Sequence, residues 1–106
     1  MFVYEIPETC PSKILDLIDC ICAEQEIHVH LIFSTSRGTA KVCFTRQICM
    51  YLTNTYYGYS LTDVGKFFGR DRTTVAHTCR KVEDLRSNIT FDNMISSIED
   101  SLGEIE

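Results

Sequence analysis

The stretch GRDRTTVAHTCRK, residues 69 to 81, sets four cations, Arg70, Arg72, Arg80 and Lys81, among threonines and a histidine. The whole chain, however, carries a formal net charge of −5. Cations and hydroxyls grouped in this way suit an anion. A guanidinium fork can bond a phosphate or the acceptor edge of a base, and the amides of a helix's first turn favour the same charge. The plainer alternative is a solvated helix face. Residues 34 to 86 hold nine basic against four acidic side chains, net +5, which leaves the rest of the chain at net −10. A basic middle between acidic ends is the electrostatic footprint of a surface that meets phosphate.

Other chemistries find less support. His28 and His30 have no Asp, Glu or Cys at metal-ligand spacing around them. The six cysteines lack a zinc-site pattern, since Cys20 and Cys22 are separated by a single residue with no second pair at finger distance. They are expected as reduced thiols in a helical core. His77 and Cys79 are two apart, so a helix turns them to different sides, and no nucleophile–base pair is assembled. Tyr51, Tyr56, Tyr57 and Tyr59 could stack on single-stranded bases or fill a small core. These readings point away from an enzyme and imply no cofactor, no metal and no small-molecule substrate. No apolar run is long enough to span a membrane, and MFVYEIPETC lacks the pattern of a signal peptide. A cytoplasmic, nucleoid-associated location is expected.

The length of 106 residues suits one domain with one modest core. Pro11 and Ser12 predict the start of a first helix with Ile14, Leu15, Leu17, Ile18, Ile21 and Cys22 on its apolar face. EIHVHLIFS alternates like a strand but has no evident partner, so a short helix is favoured. STSRGTAK reads as a polar loop. A longer helix is predicted over about 44–57, with Gly58 as its stop. SLTD is a capping box headed by Ser60, and Leu61, Val64, Phe67 and Phe68 form the inner face of the short helix it opens. Gly65 on that helix would let another helix approach closely. After Gly69, Asp71 caps a helix to about residue 86, with Val75, Cys79 and Val82 as its apolar stripe and Leu85 at the edge. Thr73, His77, Arg80 and Asp84 face the other way, with Lys81 at the margin. Two short helices about a tight turn make a helix-turn-helix over about 60–86, and the second has the make-up of a recognition helix for the major groove.

SLTDVGKFFGRDRTTVAHTCRKVEDLR resembles the C-terminal DNA-binding domain, domain IV, of the bacterial replication initiator DnaA. The matching residues are Ser60, Leu61, Gly65, Gly69, Arg70, Asp71, Thr73, Thr74, Val75, Cys79, Arg80 and Lys81. TRQICMYLTNTY upstream resembles that family's Pro-Arg-Gln helix. The resemblance implies an all-α fold, a small Trp repressor-like helical bundle with a helix-turn-helix, that binds double-stranded DNA. It implies that Asp71, Arg72, Thr73 and Thr74 read bases. It makes Arg46, Gln47, Lys66, Arg70, His77, Arg80 and Lys81 phosphate or orienting contacts, with Leu61 and Thr62 at the same interface. Arg37 or Lys41 becomes the minor-groove probe.

Three departures from the family pattern matter. Arg72 stands where the family has histidine, and arginine favours a bidentate contact to guanine, so the preferred site should differ. The turn has one glycine fewer. Gly38, Thr39 and Ala40 occupy a loop that is arginine-rich in the family, which should lower affinity. The chain also shows no Walker pattern, so it is expected to be the DNA-reading module without ATP-driven origin melting, followed by an acidic C-terminal extension over about 87–106. It is similar to stand-alone alphaproteobacterial regulators, some of which activate gene transfer agent (domesticated phage) genes together with a second protein. The expected function is therefore a sequence-specific transcriptional regulator, an activator, with a protein partner (a co-activator or an RNA polymerase component) met by the acidic N- or C-terminal parts. The alternatives are a protein-interaction adaptor that keeps the fold, or a replication modulator.

Overall fold

Pro11 leads into the first helix, α1 (Ser12–Gln25), where the sequence places it. The computed structural model describes residues 10–34 and 38–105. After α1 come a 3-10 helix (Val29–Phe33), α2 (Ala40–Thr55), α3 (Leu61–Phe68), α4 (Arg72–Leu85) and α5 (Ile89–Ile105). Among the described residues there is no strand, and no helix is long and apolar enough to cross a membrane. The ambiguous EIHVHLIFS segment is thus a tight helical turn, entered through His28, whose Nδ1 accepts from the His30 amide at 3.3 Å.

The central element is α2, which touches α1, the 3-10 helix, α3 and α4. It starts earlier than the expected residue 44, because Thr39 caps it: the Val42 amide donates to Thr39 Oγ1 at 3.2 Å. Its middle is buried on nearly every side, with Thr45, Arg46, Ile48, Cys49, Met50 and Tyr51 all inside. Gly58 follows with φ +77°, a left-handed conformation that suits glycine.

α5 is part of the bundle, and the segment expected as an acidic extension holds it. Ile95, Ile98 and Leu102 are at most 1% exposed and join the common core with Ile14, Leu17 and Ile48. Burying each such side chain stabilises the fold by about 1.5–3 kcal/mol relative to leaving it in water. Arg86 ties the helix along the flank of that apolar stripe. Its Nε donates to Asp92 at 2.6 Å, its Nη2 lies 3.5 Å from Glu99, and its Nη1 donates to the Tyr51 hydroxyl at 3.3 Å. Tyr51 in turn donates to the Glu83 carboxylate. The Asp92 bond, then Tyr51, raise the Arg86 pKa above the ordinary arginine value.

The six cysteines are free thiols, with Cys10, Cys22 and Cys49 buried and Cys20, Cys43 and Cys79 half-buried. Burial pushes Cys10 and Cys22 up to about 11 and Cys49 well above the ordinary thiol range. Tyr51 is buried, while Tyr56, Tyr57 and Tyr59 pack partly against the core.

Candidate nucleic-acid interface

Two helix caps and one turn set the interface. Ser60 Oγ accepts from the Asp63 amide at 3.1 Å and opens α3. Gly69 closes it with φ +66°, and the Arg70 amide donates back to the Gly65 carbonyl at 2.9 Å. A Cβ on Gly65 would lie 2.5 Å from the Arg70 carbonyl oxygen. The glycine therefore admits the backbone of the turn itself, not a neighbouring helix as the sequence suggested. Asp71 then caps α4, accepting from the Thr74 amide at 2.7 Å. That bond, and next the Thr74 hydroxyl, hold the Asp71 carboxyl below its ordinary value.

Beyond the cap, Arg72, Thr73 and Thr74 all stand exposed in the first turn of α4. His77, Arg80, Lys81 and Asp84 continue the exposed side. The inner stripe is Val75, Thr78 and Val82, with Cys79 only half-buried and Leu85 at 37% exposure. Thr78 was missed as an inner residue, although its spacing from Val75 and Val82 is the three-and-four helical step that signals it.

The other expected contacts divide. Thr62 and Lys66 are exposed on α3, and Leu61 is half-buried there. Lys41 is exposed at the start of α2. Gln47 joins Ala40, Cys43 and Phe44 of α2 in a cleft of about 320 Å³ whose far wall is Lys81 of α4. Lys81 also borders a second groove, of about 390 Å³, with His77, Arg80, Asp84 and Leu85. Residues 34 apart in sequence thus meet at one surface. Arg37 lies outside the described residues.

Arg46 needs correction. It is 3% exposed, and its Nε and Nη2 each donate over 2.8 Å, to the carbonyls of Ile32 and Leu31. A guanidinium so placed is not presented to a phosphate in solution. Arg70 is intermediate. Its Nη1 donates to the Phe68 and Gly69 carbonyls at 3.1 and 3.2 Å, and its Nη2 to Ser34 at 3.4 Å. These longer bonds leave the group half-exposed beside the turn.

With this geometry in view, residues 14–82 match the family described as "Bacterial dnaA protein helix-turn-helix". The chain belongs to that family. It is similar to the chromosomal replication initiator protein DnaA of Lachnoclostridium phytofermentans, 38% identical over 92 residues, which are 84% of this chain and 20% of the relative. The corresponding protein of Bacteroides thetaiotaomicron is 33% identical over 97 residues, 90% of this chain and 20% of the relative. That of Rickettsia canadensis is 50% identical over 56 residues, 52% of this chain and 12% of the relative. The chain spans about a fifth or less of the length of these DnaA proteins. What it shares with DnaA is the DNA-binding helix-turn-helix domain, and the matched segment ends at Val82 in α4, before α5.

Proposed function

We propose that the protein is a sequence-specific duplex-DNA-binding transcriptional regulator, an activator, which reads the major groove with the first turn of α4. The observation that carries this reading is the exposed group Arg72, Thr73 and Thr74 directly after the Asp71 cap. Asp71 is occupied by its own helix amides, so it fixes the turn while its neighbours reach outward. Arg72 is suited to the two acceptors on the major-groove edge of guanine, and the threonines to the adjacent bases or methyl groups. Gln47, Lys66, Arg80 and Lys81 would meet the phosphates, and Lys41 would be the minor-groove probe. The protein acts without catalysis, cofactor or metal. The exposed acids of α1 and α5, Asp16, Asp19, Glu24, Asp100 and Glu104, offer a surface to a protein partner on the transcription machinery. Its genes are of the gene transfer agent or phage-like kind, a reading that rests on the resemblance to stand-alone regulators.

Selection from a random duplex library, followed by binding titrations of the enriched site, tests this. One enriched sequence is expected, with affinity falling in salt at a log–log slope of roughly −5 for five or six phosphate contacts. Arg72→Ala should cost about 1–3 kcal/mol and relax preference at one base pair. If the variant selects the same sequence as the parent, Arg72 does not read bases.

A second reading is a replication modulator that competes for initiator sites, supported by the identity of the relatives as replication initiators. Arg72 in place of histidine disfavours it, and competition with initiator-box DNA separates the two.

A further inference from the structure

A 3-10 helix leaves its last carbonyls without partners along its own axis. Here the Leu31 carbonyl accepts a long bond of 3.4 Å from the Ser34 amide, and the fork of Arg46, reaching over from α2, donates to it and to the Ile32 carbonyl over 2.8 Å each. Ser34 follows, 3% exposed, and its carbonyl accepts from Arg70. Three carbonyls within four residues are thereby held by two arginines, one in the central helix and one at the turn of the helix-turn-helix. The same Arg70 folds back onto the carbonyls of Phe68 and Gly69, and its own backbone is closed against Gly65. Asp71 and Arg72 come next in the chain.

We propose that Arg46 and Arg70 form a positioning clamp that sets the direction of the first turn of α4, with Arg46 acting through the carbonyls it holds and not through contact with DNA. Arg46 is the fixed jaw, short-bonded and buried. Arg70 is the adjustable one, with bonds of 3.1–3.4 Å. Any displacement of Ser34 passes through Arg70 to the turn and so to Arg72, Thr73 and Thr74. The two cations lie near enough that Arg70 lowers the Arg46 pKa, after burial, which is the larger cause. The carbonyl dipoles supply the compensating negative charge. A lysine could not replace Arg46, because one ammonium does not reproduce a planar fork aimed at two acceptors.

This inference rests on the DNA-reading role of α4 and adds a specificity-determining residue that does not touch the ligand. The test uses the full chain, the duplex enriched by the parent protein, and a scrambled duplex, titrated by fluorescence anisotropy over a range of salt. Arg46→Met and Arg46→Lys are compared with the parent, with folding followed by circular dichroism. Both variants should lose affinity for the enriched duplex roughly tenfold, the scale of one lost base-pair readout. Binding to the scrambled duplex and the salt slope should not move. Should Arg46→Met fail to fold, the same tenfold loss in Arg46→Lys carries the test. A slope that falls by about one in Arg46→Met and returns in Arg46→Lys would mean a phosphate contact, and would overturn the clamp. Unchanged selectivity in both variants would overturn it too. If the parent itself prefers no duplex, the recognition role of α4 fails first and the clamp with it, a result distinct from a parent that selects beside variants that select equally well.

Discussion

Arg72 and Arg80 stand in solvent on α4, whereas Arg46 and Arg86, counted in the same basic segment, are engaged inside the fold. The contrast shows how little a residue's charge says about the field it projects. Arg46 is consumed by backbone carbonyls and Arg86 by two carboxylates and a tyrosine. The cations left outward line α3, the start of α2 and the open side of α4, so the surface available to DNA is narrower than the sequence count implies. The inner pair builds the frame, and the outer pair is the one proposed to meet DNA.

Substitutions should sort along that line, with the stability cost shrinking from inside to outside. Arg46→Ala removes both charge-assisted bonds, leaving the Leu31 carbonyl its long bond from the Ser34 amide and depriving Ile32 of its arginine donor, so it should cost about 3 kcal/mol in urea unfolding. A loss near zero would mean that water takes over the carbonyls and that the residue is not structurally buried. Arg86→Ala should cost less, about 1 kcal/mol, because Arg86 and Asp92 remain 20% and 35% exposed and solvent screens the pair. Its effect should fall on α5, read as faster amide hydrogen exchange at Ile95 and Ile98, with the DNA salt slope unchanged. Arg80→Ala should change stability by no more than about 0.5 kcal/mol. It should instead weaken binding to all sequences alike and reduce the salt slope by about one. If Arg80→Ala altered the preferred sequence, the division between orienting and reading residues on α4 would be misplaced.

The helix-turn-helix was the most legible part of the sequence, because its signals are local. Ser60 and Asp71 bond amides three residues on, and Gly69 takes the left-handed turn that a side chain resists. The central helix was the least legible. α2 is enclosed by four other elements, so its buried residues do not form one stripe, and a reading based on a single apolar face places Arg46 outside. The carbonyls that hold Arg46 are 14 and 15 residues away, beyond any periodic pattern. α5 lies in the segment read as an acidic C-terminal extension, a reading made from its charge alone. Ile95, Ile98 and Leu102, spaced three and four apart, carried the further signal that it packs. Arg86 entered the sequence reading only as one of the basic residues, since its carboxylate partners lie on the next helix.

The smallest expected effect belongs to the cap that joins the frame to the reading turn. The Asp71 pKa is depressed below 3.8 in the folded chain, chiefly by the Thr74 amide. A depressed carboxyl contributes stability that is complete above its unfolded value and is lost as pH falls through the folded value. The start of α4 should therefore stay formed at neutral pH and loosen only in acid, below the ordinary aspartate range. The Thr74 amide shift, followed by NMR from neutral pH into acid, should titrate with a midpoint under 3.8. Asp71→Asn should abolish that titration while keeping the helix start, since asparagine caps equally well and carries no proton to gain. A midpoint at or above the ordinary value would mean that Asp71 is not committed to its own helix. The carboxylate would then be free to accept from a cytosine amine or to repel a phosphate, and the line between frame and reader would have to move one residue toward the turn.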